Sequence, residues 1–422
     1  MGKASNAKHP NLSQPYNDLL KLARAGKTES IRKLLESGVD VNAENKNHNI
    51  DNPLNIASFY GYYDLVELLI KHGADIGAEK GWRGTALHIA AAKGQTEVVR
   101  LLLEHKADVQ KDSEVGYPLS VASAAGHKAV AKLLIRKGAQ VNAVSKKGRN
   151  ALVSAASSGH EDVVKLLLDK GADVSKYGSI ALKGASKRGS IPVVRLLLAR
   201  GANINPRDRS PLRAAAIEGH EDVVKLLLDK GANIEAKEED GNALILASAS
   251  GHEKVVKMLL DSGANINAEV GYYGNALCAA SAEGCEEVVK LLLDSGANIN
   301  TKAGRDDNAL CAASFQGSKK VVKLLLDRGA DINAKTEYYG NALSAAVHGD
   351  NEKVVKLLLD RGTDINEKDG SYSSIFSLAS DYDRHKIVYL LRKRGAQDCR
   401  QVAKRPLYDD SQSNQNVAKR LK

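Results

Sequence analysis

The sequence predicts an all-α chain built from a stack of short helix pairs. A leucine recurs with successive spacings of 33, 32, 33, 30, 30 and 32 residues, followed by 33 four times, over most of the 422 residues. Aromatic residues make up only 4% of the chain, which is too few for one large round core. Because a unit of this size cannot bury its apolar face alone, neighbouring units must stack. The recurring positions are Leu54, Leu87, Leu119, Leu152, Leu182, Leu212, Leu244, Leu277, Leu310, Leu343 and finally Phe376.

One unit, 242–268, shows the expected mechanics. Asn242 is predicted to cap a first short helix, and Gly251 to end it in the left-handed conformation. The run from Val255 to Leu260 predicts a second helix with a broad apolar face, which Gly263 stops. In another unit, Lys106 stands where this glycine usually does, which puts that helix end in question. Residues with matching roles elsewhere are the caps Thr85, Asn150 and Ser210, the helix-starting Pro53, Pro118 and Pro211, and the glycines Gly94, Gly126, Gly159 and Gly284.

The segment Thr85-Ala86-Leu87-His88-Ile89-Ala90 resembles the T-P-L-H-x-A signature of ankyrin repeats. The resemblance covers about residues 16–397 and implies an ankyrin-repeat solenoid of helix-turn-helix units with short β-hairpin-like finger loops. Tyr-Tyr-Gly-Asn-Ala-Leu, at 272–277 and 338–343, is similar to fungal arrays of this family. The predicted organisation is a flexible N-terminus at 1–15, an N-cap at 16–43, about ten internal repeats at 44–370, a C-terminal cap repeat at 371–397 and a disordered basic tail at 398–422.

Several residue patterns argue against catalysis. Three His-Glu pairs suggest half of a zinc motif, but valine occupies the place of the second histidine each time. No phosphate-binding loop and no nucleophile elbow occurs. We therefore expect no enzyme activity, no metal and no cofactor. The pairs are His160-Glu161, His220-Glu221 and His252-Glu253, followed by Val164, Val224 and Val256.

The resemblance implies a non-catalytic scaffold or adaptor that binds proteins with its fingers and its concave first-helix surface. Three versions stay open: a cytoplasmic or general interaction module, a nuclear transcription co-regulator, and a stand-alone sensor array related to the ends of fungal NOD-like receptors. We expect a monomer that is neither secreted nor membrane-bound, since no apolar leader or long apolar run is present.

Positive charge is concentrated in one segment. From Lys176 to Arg213 there are nine basic residues and one acid, whereas Glu218 to Asp240 holds eight acids and three lysines. The basic segment coincides with the two 30-residue periods, so its fingers are expected to be clipped. It is either a solvated face or a groove for a protein with an acidic patch. The residues predicted to bind are Lys176, Lys183, Lys187, Arg188, Arg207, Arg209 and Arg213.

Aromatic residues mark the predicted finger loops, notably Trp82, Tyr177, Tyr273 and Tyr339. They either contact a partner or pack one finger against the next. They do not interleave with the basic residues as a stacking platform would require, so direct nucleic-acid binding is not expected.

Two basic clusters near the C-terminus are separated by 13 residues and resemble a bipartite nuclear import signal. The alternative is a solubilising tail. The interpretation favours the nucleus over the cytoplasm. The residues concerned are Lys404, Arg405, Lys419, Arg420 and Lys422.

Overall fold

In a computed structural model of the chain, the described residues are 13–43, 52–79, 84–304, 308–366 and 374–396. They form 24 α-helices in twelve pairs, numbered in chain order, so that odd numbers are first helices and even numbers second helices. The described residues contain no strand, only isolated bridges between Val144 and Asn150 and between Glu238 and Gly241. The chain divides between Asn233 and Ile234 into two compact units, each described here by itself.

Unit 1 contains α1 (Ser13–Arg24), α2 (Thr28–Glu36), α3 (Pro53–Tyr60), α4 (Tyr63–Lys71), α5 (Ala86–Ala92), α6 (Thr96–Glu104), α7 (Pro118–Ala124), α8 (Lys128–Arg136), α9 (Ala151–Ser158), α10 (Glu161–Asp169), α11 (Val174–Arg188), α12 (Ile191–Ala199), α13 (Pro211–Ile217) and α14 (Glu221–Asp229). Unit 2 contains α15 (Ala243–Ala249), α16 (Glu253–Asp261), α17 (Ala276–Ala282), α18 (Glu286–Asp294), α19 (Ala309–Gln316), α20 (Lys319–Asp327), α21 (Ala342–His348), α22 (Glu352–Asp360), α23 (Ile375–Asp381) and α24 (His385–Lys393).

Each unit consists of two layers, one of first helices and one of second helices. A helix packs against its pair partner and against the equivalent helix of the next repeat. In the repeat of α9 and α10, Leu152 is 1% exposed, and Val163, Val164 and Leu167 are fully buried. The core is therefore a thin, continuous layer of aliphatic side chains between the first helices and the second helices, as the repeat pattern predicts.

Helix ends follow the predicted cap chemistry. The Asn242 side chain accepts a hydrogen bond from the backbone N–H of Ile245 at 3.0 Å. The glycines predicted to end first helices have φ between 71° and 79°, which is the left-handed region. They are Gly94, Gly126, Gly159, Gly251 and Gly284. These predictions are confirmed.

Lys106 adopts the conformation of the glycine that it replaces. Its φ is 65°, and α6 ends just before it at Glu104. The question raised by the sequence is thus resolved: the helix end is kept, at a backbone cost of about 1–2 kcal/mol.

The histidines that follow the glycines at the ends of first helices hold successive repeats together. His127 Nε2 lies 3.1 Å from the carbonyl oxygen of Ala92, and His160 Nε2 lies 3.0 Å from that of Ala124. With the proton on Nε2, each ring donates to an end carbonyl of the preceding first helix, a group that has no partner within its own helix. These histidines are therefore structural.

Candidate functional site

The basic segment of unit 1 is built on an unusual first helix, α11. It has 15 residues, whereas its neighbours α9 and α13 have eight and seven. Only residues 170–173 separate it from α10, whereas residues 137–150 separate α8 from α9. The finger predicted before Leu182 is therefore absent, and helical turns take its place.

Asp173 fixes the beginning of α11. Its carboxylate accepts hydrogen bonds from the Ser175 hydroxyl at 2.6 Å and from the backbone N–H of Lys176 at 3.0 Å. These bonds, the Ser175 bond above all, lower the pKa of Asp173. The standard cap position, Ile180, carries a side chain that cannot accept a hydrogen bond, so nothing there interrupts the helix.

Two glycines let α11 approach its neighbours closely. A Cβ on Gly184 would meet the Ser157 hydroxyl and would lie 3.2 Å from the Ser157 Cα, on α9. A Cβ on Gly178 would lie 2.7 Å from Val174 Cγ1 and 3.3 Å from the Cα of Ala202. The position of α11 in the layer is consequently fixed by the absence of side chains at these two residues.

The prediction that Tyr177 lies in an exposed finger is wrong. Tyr177 lies in α11 and is 8% exposed, because it belongs to a buried helical stripe with spacing i, i+1, i+4 and i+5. Lys176 is exposed, and its Nζ lies 5.2 Å from the centroid of the Tyr177 ring. The stripe consists of Tyr177, Gly178, Ala181, Leu182, Ala185 and Ser186.

The C-terminal end of α11 presents two cations. Lys187 Nζ is 3.5 Å from Glu218 Oε1, and both side chains are exposed. Arg188 is exposed and has no carboxylate within ion-pair distance among the described residues. The same holds for Arg207 and Arg209, in the loop that leads into the adjacent α13.

We call the following set the basic surface. It consists of the half-buried Lys183 and the four exposed cations. Within the described part of the chain, Lys187 is the one member of this set that forms an ion pair, with Glu218. Its members lie on α11 and on the loop before α13, and α11 packs against α13. They are Lys183, Lys187, Arg188, Arg207 and Arg209.

Arg213 does not belong to this surface, contrary to the prediction. It is 4% exposed. It occupies the position that His88 has in an earlier repeat, where the fully buried ring lies within 3.1 Å of the carbonyl oxygens of Lys111 and Gly116 in the next finger. Burial lowers the pKa of His88. Side chains at this position are enclosed, so Arg213 is not available to a partner.

The predicted aromatic contacts of unit 2 separate into two cases. Tyr339 is 6% exposed and stacks on Phe315 with ring centroids 4.9 Å apart, so its assignment as an exposed binding residue is wrong and the packing interpretation holds. Tyr273 is half-buried, and its hydroxyl donates to Glu283 at 2.8 Å. Trp82 and the five predicted import residues lie outside the described residues.

The sequence interpretation missed an aromatic cluster in α3 and at the start of α4. Tyr60 is 47% exposed and Tyr63 is 41% exposed, beside Phe59 and Tyr62. Phe59 and Tyr60 are the two residues before the glycine that ends α3, a position that we call the variable pair and that Lys187 and Arg188 occupy in α11. Their place in the repeat, shared with Lys187 and Arg188, is the sequence signal that could have found them.

Within the described residues, no group of three or more His, Cys, Asp or Glu side chains could hold a metal ion. No described helix is long and apolar enough to cross a membrane.

Comparison with protein families gives overlapping matches to a model described as ankyrin repeats, in three copies. A comparison with curated proteins finds no match. Ankyrin repeats form protein–protein interaction domains. The matched residues are 19–113, 77–145, 119–208, 182–270, 277–369 and 312–403, and the chain therefore belongs to the ankyrin-repeat family.

Proposed function

We propose that the protein is a non-catalytic adaptor that uses the basic surface to bind an acidic segment of a partner protein. The observation that carries this proposal is the excess of exposed cations on α11 and on the loop before α13. Arg188, Arg207 and Arg209 have no carboxylate partner among the described residues. A surface of one sign accelerates association with a partner of the other sign and fixes its orientation.

The expected size of the contribution follows from exposure. Each solvent-exposed ion pair is worth roughly 0.2–1 kcal/mol, so four of them supply roughly 1–4 kcal/mol of binding free energy. That is enough to change affinity by about fivefold to several hundredfold, but too little to anchor a partner alone. Lys187 is already paired with Glu218, and a partner carboxylate must compete with that pair.

The test is affinity capture from native cells with the full chain, followed by quantitative mass spectrometry. The variant carries Lys187→Gln, Arg188→Gln, Arg207→Gln and Arg209→Gln. Glutamine is chosen over glutamate because an acid in the last turn of α11 would oppose the helix dipole and lower stability for an unrelated reason.

A control variant removes the same charge from exposed lysines of second helices and their ends: Lys132→Gln, Lys165→Gln, Lys225→Gln and Lys230→Gln. We expect a partner with an acidic segment whose recovery falls about tenfold with the basic-surface variant and stays unchanged with the control. Equal recovery with both variants contradicts the proposal.

We further propose that the protein acts in the nucleus as a transcription co-regulator. The support is the sequence pattern of two basic clusters, Lys404-Arg405 and Lys419-Arg420, which lies outside the described residues. A fluorescent fusion is expected to accumulate in nuclei and to lose this accumulation with Lys419→Ala and Arg420→Ala. Identical distribution of both fusions contradicts the nuclear role.

A further inference from the structure

Unit 1 carries a second exposed feature, the aromatic cluster around Tyr60. The Tyr60 ring stacks on Tyr62 with centroids 5.4 Å apart and an interplanar angle of 18°, and it meets the edge of Phe59 at 5.0 Å. Nearly half of Tyr60 is nevertheless exposed. An exposed, laterally supported tyrosine offers a partner large contact area with little loss of side-chain entropy.

The cluster is tied to the repeat framework. Tyr62 follows Gly61 and so occupies the position of His127 and His160 in later repeats. Its hydroxyl lies 3.5 Å from the carbonyl oxygen of Arg24, at the end of α1, which is the same backward contact that the histidines make. Tyr60 therefore stacks on a ring that is itself held in place.

The charge beside the cluster restricts what can bind there. Lys93 Nζ lies 4.4 Å from the centroid of the Phe59 ring and is exposed. Tyrosine faces attract cations, but a second cation next to Lys93 would be repelled. The cluster therefore suits an apolar side chain such as leucine or proline.

The residues between this cluster and the basic surface, on the same row of first helices, are small apart from Lys93. The variable pairs of the intervening repeats are Ala92-Lys93, Ala124-Ala125 and Ser157-Ser158. Lys93 lies against the Phe59 ring of the cluster, and beyond it the exposed members Ala124 and Ser157 raise no barrier. Consecutive first helices from α3 to α11 pack side by side, which gives four steps from Tyr60 to Lys187. At about 8–10 Å a step, the two features are about 32–40 Å apart.

We propose that the first-helix face of unit 1 binds one extended segment with two anchors, an apolar residue on the Tyr60 cluster and an acidic run on the basic surface. This inference rests on the proposed function for its acidic half. An extended chain spans about 3.3 Å per residue, so the anchors are separated by about 10–12 residues. The partner is thus defined by spacing as well as by charge.

Synthetic fluorescent peptides test the spacing by fluorescence anisotropy with the full chain. The first joins Leu-Pro-Leu to five consecutive glutamates through eleven Ser and Gln residues, and a second has the order reversed. A third has a spacer of four residues, and a fourth has the glutamates and the long spacer without the apolar anchor. Whichever order fits, a long-spacer peptide is expected to bind at least tenfold more tightly than the short-spacer and anchorless peptides, because the second contact becomes intramolecular.

Variants of Tyr60 test the apolar anchor. Tyr60→Ala is expected to reduce the long-spacer peptide to the affinity of the anchorless one and to leave the anchorless peptide unchanged, whereas Tyr60→Phe retains the gain. A circular-dichroism melt of each variant checks folding.

The outcomes separate this inference from the proposed function. If the glutamates bind through the basic surface but the apolar anchor adds nothing at any spacing, or if Tyr60→Ala is without effect, the two-anchor inference is overturned and the proposed function stands. If the anchorless peptide binds the basic-surface variant as well as the wild type, the acidic half fails, and the inference fails with it.

Discussion

The adjacent helices α9 and α11 carry the same motif leucine but are built differently. The eight-residue α9 begins at the amide cap Asn150, which accepts from the backbone N–H of Leu152, and a bridged loop precedes it. The 15-residue α11 begins at the carboxylate Asp173 and has no finger. A period of 30 instead of 33 residues thus does more than shorten a loop. The residues that form a finger in other repeats are part of α11, where Tyr177 is buried and Lys187 and Arg188 lie exposed at the helix end.

The largest expected effect comes from the buried ring that distinguishes α11. Tyr177→Ala should lower the free energy of unfolding by about 3–5 kcal/mol, because it removes a side chain that is 8% exposed and leaves a cavity. Tyr60→Ala, which removes an exposed ring from α3, should cost less than about 1 kcal/mol. Urea titrations followed by circular dichroism compare the two. Similar losses would place Tyr177 outside the core.

The close approach of α11 to α9 gives the next effect. Gly184→Ala should destabilise by about 1–3 kcal/mol through overpacking against Ser157, although alanine is the better helix former by about 1 kcal/mol. Ser157→Gly should recover part of that loss in the double variant. Ser154 has the same position in α9 as Gly184 has in α11, and it is half-buried, so Ser154→Ala serves as the near-neutral control. A stabilising Gly184→Ala would mean that the two helices are not in close contact.

A backward histidine contact secures the end of α11, as it secures the end of α5, and should matter equally in both places. His220 Nε2 lies 2.9 Å from the carbonyl oxygen of Lys187 at the end of α11, and His127 Nε2 lies 3.1 Å from that of Ala92 at the end of α5. His220→Leu and His127→Leu should each cost about 0.5–1.5 kcal/mol, whereas His220→Gln keeps a donor and should cost less. Thermal melts measure the three variants. A loss with His220→Gln as large as with His220→Leu would argue against the hydrogen bond.

The smallest effect is a difference in pH dependence between the two caps. The pKa of Asp173 is lowered by its hydrogen bonds, so its contribution to stability is present above the unfolded pKa of about 3.9 and is lost as pH falls through the folded pKa. Asn150 does not titrate. The melting temperature of wild type should therefore exceed that of Asp173→Asn at neutral pH, and the difference should shrink as pH falls below the unfolded pKa. A difference that stays constant over this range contradicts the role of the Asp173 carboxylate.

The repeats, their caps and their left-handed glycines could be predicted from the sequence because each depends on residues within three or four positions. Asn242 bonds to the backbone three residues later, and Gly251 needs only its own backbone freedom. The buried state of Tyr339 depends on Phe315, in the preceding repeat. Such contacts between repeats have no signal in a single repeat, so exposure was assigned to the wrong tyrosines.

The site could be predicted only in part, because exposure depends on contacts between repeats. Lys187, Arg188, Arg207 and Arg209, which the concentration of positive charge had singled out, are exposed. Arg213 was misplaced because the side chain after the motif leucine is enclosed, as His88 shows. The stripe that begins at Tyr177 has the i, i+4 spacing of a helix, and this spacing can be read from the sequence. Tyr177 was assigned to a finger because other repeats have a finger at this point.

The salt dependence of partner binding tests the central claim most directly, that the finger-free helix α11 and the loop beside it supply the binding charges. Once capture has supplied the partner, its affinity should fall as sodium chloride is raised from 50 to 500 mM, and this fall should be much shallower for the variant with glutamine at 187, 188, 207 and 209. The control variant with four glutamines on the second helices and their ends should keep the wild-type slope. Parallel slopes for the wild type and the basic-surface variant would contradict the account.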